Sequence, residues 1–114
     1  MSDLEILDAS NWEEFLKSPT AVLMLGKSDC QACSDWTVEL KAFLTSEQNT
    51  FDSVRFGKLL LDQRGLIDFK KQSPWLADVD VLPFNVIYRD GEKVKDFAGS
   101  GIERLTNRLE RLLA

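Results

Sequence analysis

The longest uninterrupted apolar run is Ala21-Val22-Leu23-Met24-Leu25. It shows no alternation with polar residues, so a strand from Ala21 to Lys27 is expected to be covered on both faces. The pattern then changes. Trp36, Leu40, Phe43 and Leu44 recur at helical spacing and predict a helix from Cys30 to about Ser46. Upstream, Leu4 to Leu7 suits a short first strand. Ser10, with Glu13 three residues on, reads as a capping box for a helix from Asn11 to about Lys17. That helix would bury Trp12, Phe15 and Leu16, and Ser18-Pro19 would end it.

Downstream, Gln48-Asn49-Thr50 reads as loop and Ser53 to Leu61 as a third strand. A single long helix between two strands predicts a parallel, right-handed βαβ unit. Leu66 to Gln72 is predicted as a short helix turning Leu66, Ile67 and Phe69 inward, and Ser73 to Val81 as irregular chain. Phe84 to Arg89 and Lys93 to Phe97 flank Asp90-Gly91, a strong hairpin signal. After Gly99-Ser100-Gly101, the residues Ile102, Leu105, Leu109, Leu112 and Leu113 form the apolar stripe of a last helix. Arg104, Arg108 and Arg111 fall on another face of it and are expected to be a solvated basic stripe. The order β-α-β-α-β-α-β-β-α predicts an α/β fold: a central mixed sheet with helices on both faces.

With 114 residues the chain is expected to form one domain, residues 1–114, large enough for a real core. A hydrophobic content of 44%, with three Trp and seven Phe, excludes the disordered class. No apolar run approaches the roughly 20 residues of a membrane span. The start, Met1-Ser2-Asp3-Leu4-Glu5, has no leader-like pattern, so a cytoplasmic protein without membrane association is expected. A net charge of −5 argues against nucleic acid as a partner. The absence of histidine removes Cys-His and Ser-His-Asp nucleophile systems. Two thiols without imidazole cannot complete a tetrahedral zinc site within one chain, and no metal is expected. No phosphate-cradling glycine loop appears.

What remains is Ser28-Asp29-Cys30-Gln31-Ala32-Cys33, which holds both cysteines. Two cysteines three apart at a helix start lie on one face, within disulfide reach. The free N–H groups and partial positive charge of that helix end favour a thiolate on Cys30. The thiolate is the nucleophile of thiol–disulfide exchange. A purely structural staple explains the pair poorly, because a four-residue loop gains only about 2 kcal/mol from closure. Asp29 opposes the thiolate, by like charge or by capping the helix and using its donors. Lys58 and Asp62, at the end of the third strand, read as groove residues or as ordinary solvated charges. Trp36 is expected in the core, and Trp75 either covers the site or simply packs.

The whole of this pattern resembles the thioredoxin family. The resemblance rests on Cys-x-x-Cys after the central strand, on Lys58-Leu59-Leu60-Leu61-Asp62-Gln63, and on Leu82-Pro83-Phe84. The hairpin Tyr88-Arg89-Asp90-Gly91-Glu92, the glycine at Gly99 and the closing amphipathic helix complete it. It implies a thioredoxin-like fold and a thiol–disulfide oxidoreductase with Cys30 attacking and Cys33 resolving. It implies that Pro83 is a cis-proline facing the cysteines, where the residues alone favour an ordinary trans bond. The backbone of Leu82 would pair with substrate, and Asp29 would lie at the same groove. The implied partners are protein disulfides and an external reductant of the thioredoxin-reductase type. No bound cofactor is needed, and a monomer is expected.

The chain also departs from the family. Asp29-Cys30-Gln31-Ala32-Cys33 stands where thioredoxins usually carry Trp-Cys-Gly-Pro-Cys. Met24 replaces the buried acid of the central strand, Val38 replaces a helix-kinking proline, and the stretch from Arg64 to Val81 is longer. These departures keep two other readings open. One is a redox-sensing or non-catalytic protein-interaction module, and the other a glutathione-linked enzyme, although no residue marks a glutathione site.

Overall fold

The computed structural model describes residues 3–114, so Met1 and Ser2, the first residues read for a leader, lie outside them. Five strands form one sheet in the order β1-β3-β2-β4-β5. They are β1 (Leu4–Leu7), β2 (Thr20–Gly26), β3 (Arg55–Leu60), β4 (Phe84–Arg89) and β5 (Glu92–Ala98). β1 and β2 both run parallel to β3, while β4 is antiparallel to β2 and β5 to β4. The helices are α1 (Trp12–Leu16), α2 (Gln31–Leu44), α3 (Ile67–Gln72) and α4 (Ile102–Leu113). The expected order and the mixed sheet are both found.

β2 is buried at every position, and its side chains supply both layers of the core. Val22 and Met24 point to one face, among Trp36, Leu40 and Phe43 of α2 and Leu105 and Leu109 of α4. Ala21, Leu23 and Leu25 point to the other, among Trp12 and Phe15 of α1 and Phe69 of α3. At the crowded point where α1 crosses β3, Gly57 leaves room for Phe15 and Leu7; a Cβ there would lie 2.7 and 2.8 Å from them. The hairpin turns as expected, with Asp90 and Gly91 both at positive φ, 52° and 86°. β5 is exposed from Glu92 to Asp96 and forms one edge of the sheet.

Four local expectations are corrected. The Ser10–Glu13 capping box does not form. Asn11 is the N-cap, without a side-chain cap bond, because Asp8 draws both the N–H and the hydroxyl of Ser10 onto its carboxylate. Ile67 is 68% exposed rather than inward, since in this short helix Leu66 and Phe69 already fill the inner side. The expected irregular stretch contains a 3-10 helix over Pro74–Asp78, held where Trp75 packs on Phe84 and under the ammonium of Lys93. The arginine stripe is only partly solvated. Arg104 and Arg108 lie over the ring of buried Phe97, at 4.7 and 4.8 Å from its centroid; Arg108 is half-buried there, while Arg104 and Arg111 stay exposed.

Two stability predictions follow from this packing. Gly57→Ala forces a methyl into Phe15 and Leu7 and should cost about 1–3 kcal/mol in chemical denaturation. The hydroxyl of Tyr88 is buried without a hydrogen-bond partner, and burial pushes its ionisation above the ordinary tyrosine range. Tyr88→Phe should therefore be neutral or stabilise by about 1 kcal/mol. The folded chain holds this proton more tightly than the unfolded chain. Wild-type stability should thus fall as the pH rises above the unfolded tyrosine value of about 10, and Tyr88→Phe should remove that part of the alkaline loss.

Candidate redox site

The site is built at the point where β2 ends and α2 begins. Cys30 is the N-cap of α2 with extended backbone angles, and it is bonded to Cys33 with their Cα atoms 5.2 Å apart. The Cys30 sulfur accepts from the Cys33 N–H at 3.1 Å. A sulfur, rather than a hydroxyl or carboxylate, thus takes one of the free donors of the helix end. Asp29 does not cap the helix; it is exposed one residue outside the cap. That alternative is corrected because Cys30 itself occupies the capping position.

The two sulfurs have unequal surroundings. Cys30 is half-buried, while Cys33 is 1% exposed. Cys33 packs directly on the backbone of Gly26, where a Cβ would meet its Cβ and Sγ at 3.1 and 3.2 Å. Thr37 donates to the Cys33 carbonyl at 2.8 Å and lies 3.8 Å from the sulfur of buried Met24. Among the described residues, the buried polar side chains are serines, threonines and one asparagine, so no carboxylate or ammonium is buried at Cys33. Gly26 was not singled out from the sequence. Its signal is a glycine closing an apolar strand just before the cysteines, where a strand and a sulfur must meet closely.

Asn85 is a second residue that the sequence did not point to. Its side-chain oxygen accepts from the Trp36 indole at 2.8 Å, and its amide donates to the Gly99 carbonyl at 2.8 Å. Trp36 is in the core as expected, but it is also tied to β4. An amide inside an otherwise apolar strand needs partners of its own, which is the signal that marks it. The Leu82–Pro83 bond is cis, and the Pro83 carbonyl accepts from the Gly99 N–H at 2.7 Å. Phe84 pairs with Leu25, which brings the end of the Leu82–Pro83 loop to the end of β2, next to Gly26. Pro83 is buried, and Leu82 packs against the same core cluster as Cys30.

A groove of about 680 Å³ opens beside this loop, with Leu61, Leu76, Val79 and Leu82 on its walls and Lys27 and Asp62 at its rim. The structure thus brings Leu82 and Asp62 to one groove, and Asp29 is not among its lining residues. Lys58 lines a separate, smaller cavity with Ile6, Asp8 and Gln63. Trp75 packs on β4 and β5 and does not cover the cysteines.

No protein-family model matches the chain, and no curated protein matches it. Solved structures do. Thioredoxin f2 of Chlamydomonas reinhardtii is 24% identical with a TM-score of 0.72, over 95% of this chain and 94% of that one. Thioredoxin f from spinach chloroplast, in its long form, is 15% identical with a TM-score of 0.78, over 98% and 88%. Oxidised thioredoxin O2 of Arabidopsis thaliana is 19% identical with a TM-score of 0.73, over 97% and 95%. At these identities the likeness speaks for architecture alone, and together with the mixed five-stranded sheet and its four helices it shows that this chain has the thioredoxin fold.

Proposed function

We propose that the chain is a thiol–disulfide oxidoreductase acting on protein disulfides. The observation that carries this reading is the unequal cysteine pair at the start of α2: Cys30 half-buried at the helix cap, and Cys33 sealed beneath it. In the reduced protein, Cys30 is the sulfur that a substrate can reach. Its thiolate is favoured by the Cys33 N–H and by the helix end. It attacks one sulfur of the substrate disulfide, forms a mixed disulfide and expels the other substrate sulfur as a thiolate, which takes up a proton.

Cys33 then loses its proton and attacks Cys30, closing the intramolecular disulfide and releasing the second substrate thiol. Two electrons pass from the cysteine pair to the substrate. An external reductant, such as an enzyme of the thioredoxin-reductase type, must return two electrons and two protons before the next cycle. The reaction needs no resident cofactor.

Single-cysteine variants test the assignment. Cys33→Ser should accumulate a mixed disulfide through Cys30 with a disulfide-bonded protein substrate, seen as an intact adduct by mass spectrometry. Cys30→Ser should form none and lower disulfide reduction to background. Equal adducts from both variants would remove the assigned roles. A wild-type protein that reduces no disulfide would leave the interaction-module reading in its place.

A further inference from the structure

Asp62 follows β3 closely, and its carboxylate faces back across the sheet to the loop before Cys30. Its two oxygens accept from the Ser28 backbone N–H at 3.2 and 3.1 Å, and one of them also accepts from the Ser28 hydroxyl. Beside them, the Leu61 N–H donates to the Gly26 carbonyl at 2.8 Å. The bonding between β2 and β3 therefore continues past both strand ends, to within two residues of the attacking sulfur. Asp62 is held below the ordinary carboxylate range by the Ser28 hydroxyl and then the Ser28 N–H. It is ionised at neutral pH, and these bonds are charge-assisted.

Only Lys27, Ser28 and Asp29 separate the end of β2 from the helix cap at Cys30. Within this loop the turn is closed by a long bond, Cys30 N–H to the Lys27 carbonyl at 3.4 Å. Ser28 is the loop residue bonded to the end of a neighbouring strand. We propose that Asp62 and Ser28 form a positioning pair that holds the Lys27–Asp29 loop so that the Cys30 sulfur stays seated on the Cys33 N–H. The role in catalysis rests on the oxidoreductase reading above. Neither residue touches the reacting sulfurs; both act through the loop. The charged neighbours are Lys27 on the loop, Lys70 on α3 and Asp80 beyond the 3-10 helix, which line the same groove, with Asp29 next to Cys30.

The sign of the effect distinguishes this role from a simple charge effect. Losing the negative charge of Asp62 by itself would favour a nearby thiolate. Losing the position of Cys30 would take its sulfur off a hydrogen-bond donor and disfavour the thiolate. The test is the rate of alkylation of Cys30 by iodoacetamide against pH, in full-length reduced protein carrying Cys33→Ser, with melting temperature measured alongside. Ser28→Ala and Asp62→Ala should each slow alkylation several-fold at neutral pH and move its midpoint to higher pH. The double variant should be no slower than Asp62→Ala alone, because the hydroxyl bond is already gone. Asp62→Asn should fall between parent and Asp62→Ala.

A midpoint that moves to lower pH in both Asp62 variants, with Ser28→Ala unchanged, would overturn the proposal in favour of charge alone. Unchanged rates and midpoints, whatever the melting temperatures, would overturn it in favour of a role in folding only. The assay needs no disulfide substrate. If alkylation responds as expected while Cys33→Ser traps no substrate, the oxidoreductase reading fails and the positioning pair stands.

Discussion

The structure depends on one strand having no face in water. β2 is apolar on both sides, so the sheet must be covered twice, and each layer takes its core from alternate β2 residues. That constraint puts α2 on the face of Met24 and α1 and α3 on the face of Leu23 and Leu25. It also decides where chemistry can occur. A central strand buried throughout offers solvent only its end, and there the chain turns from Gly26 through three residues into the start of α2. The cysteines occupy that exit, where a helix end supplies unpaired donors.

The second organising contact is polar. Asn85 joins Trp36 of α2 to the carbonyl of Gly99 beyond β5, and Gly99 in turn donates to the carbonyl of Pro83. The helix that carries the cysteines, the cis-proline loop and the loop before α4 thereby share a single set of hydrogen bonds. A buried amide left without partners costs about 1–3 kcal/mol, so these three segments are stable together rather than separately. The register of β2 with β4 sets Asn85 opposite Met24, beside the sealed cysteine.

Local signals were legible in the sequence and long-range ones were not. The span of β4, the Asp90-Gly91 turn and the stripe of α4 could be read because periodicity and turn chemistry are local properties. The failures have different causes, one of them local. Ser10 lost its capping role to Asp8, a competitor two residues away. The Pro74–Asp78 helix has too few residues to show a period and owes its place to Phe84 and Lys93. The stacking of Arg104 and Arg108 on Phe97, which leaves Arg108 half-buried, could not be read because Phe97 belongs to another element. At the site, the cysteines and the cis-proline were expected, the latter only through family resemblance. Gly26, Asn85 and the Ser28–Asp62 bonds depend on which strand lies next to which.

One feature of the sheet bears on how the chain behaves in a crowded solution. β5 is an open edge, and an open edge offers unpaired backbone groups to any other strand. Here its outer stretch reads Glu92-Lys93-Val94-Lys95-Asp96, exposed and charged at four of five positions, with an irregular register opposite Ile87 and Tyr88. The opposite edge, β1, is only four residues long. A second sheet docking on β5 would have to desolvate those charges on a bent ladder, and one docking on β1 would gain few bonds. The sheet is thus protected against edge-to-edge growth at both of its outer strands, by charge and bend on one side and by shortness on the other.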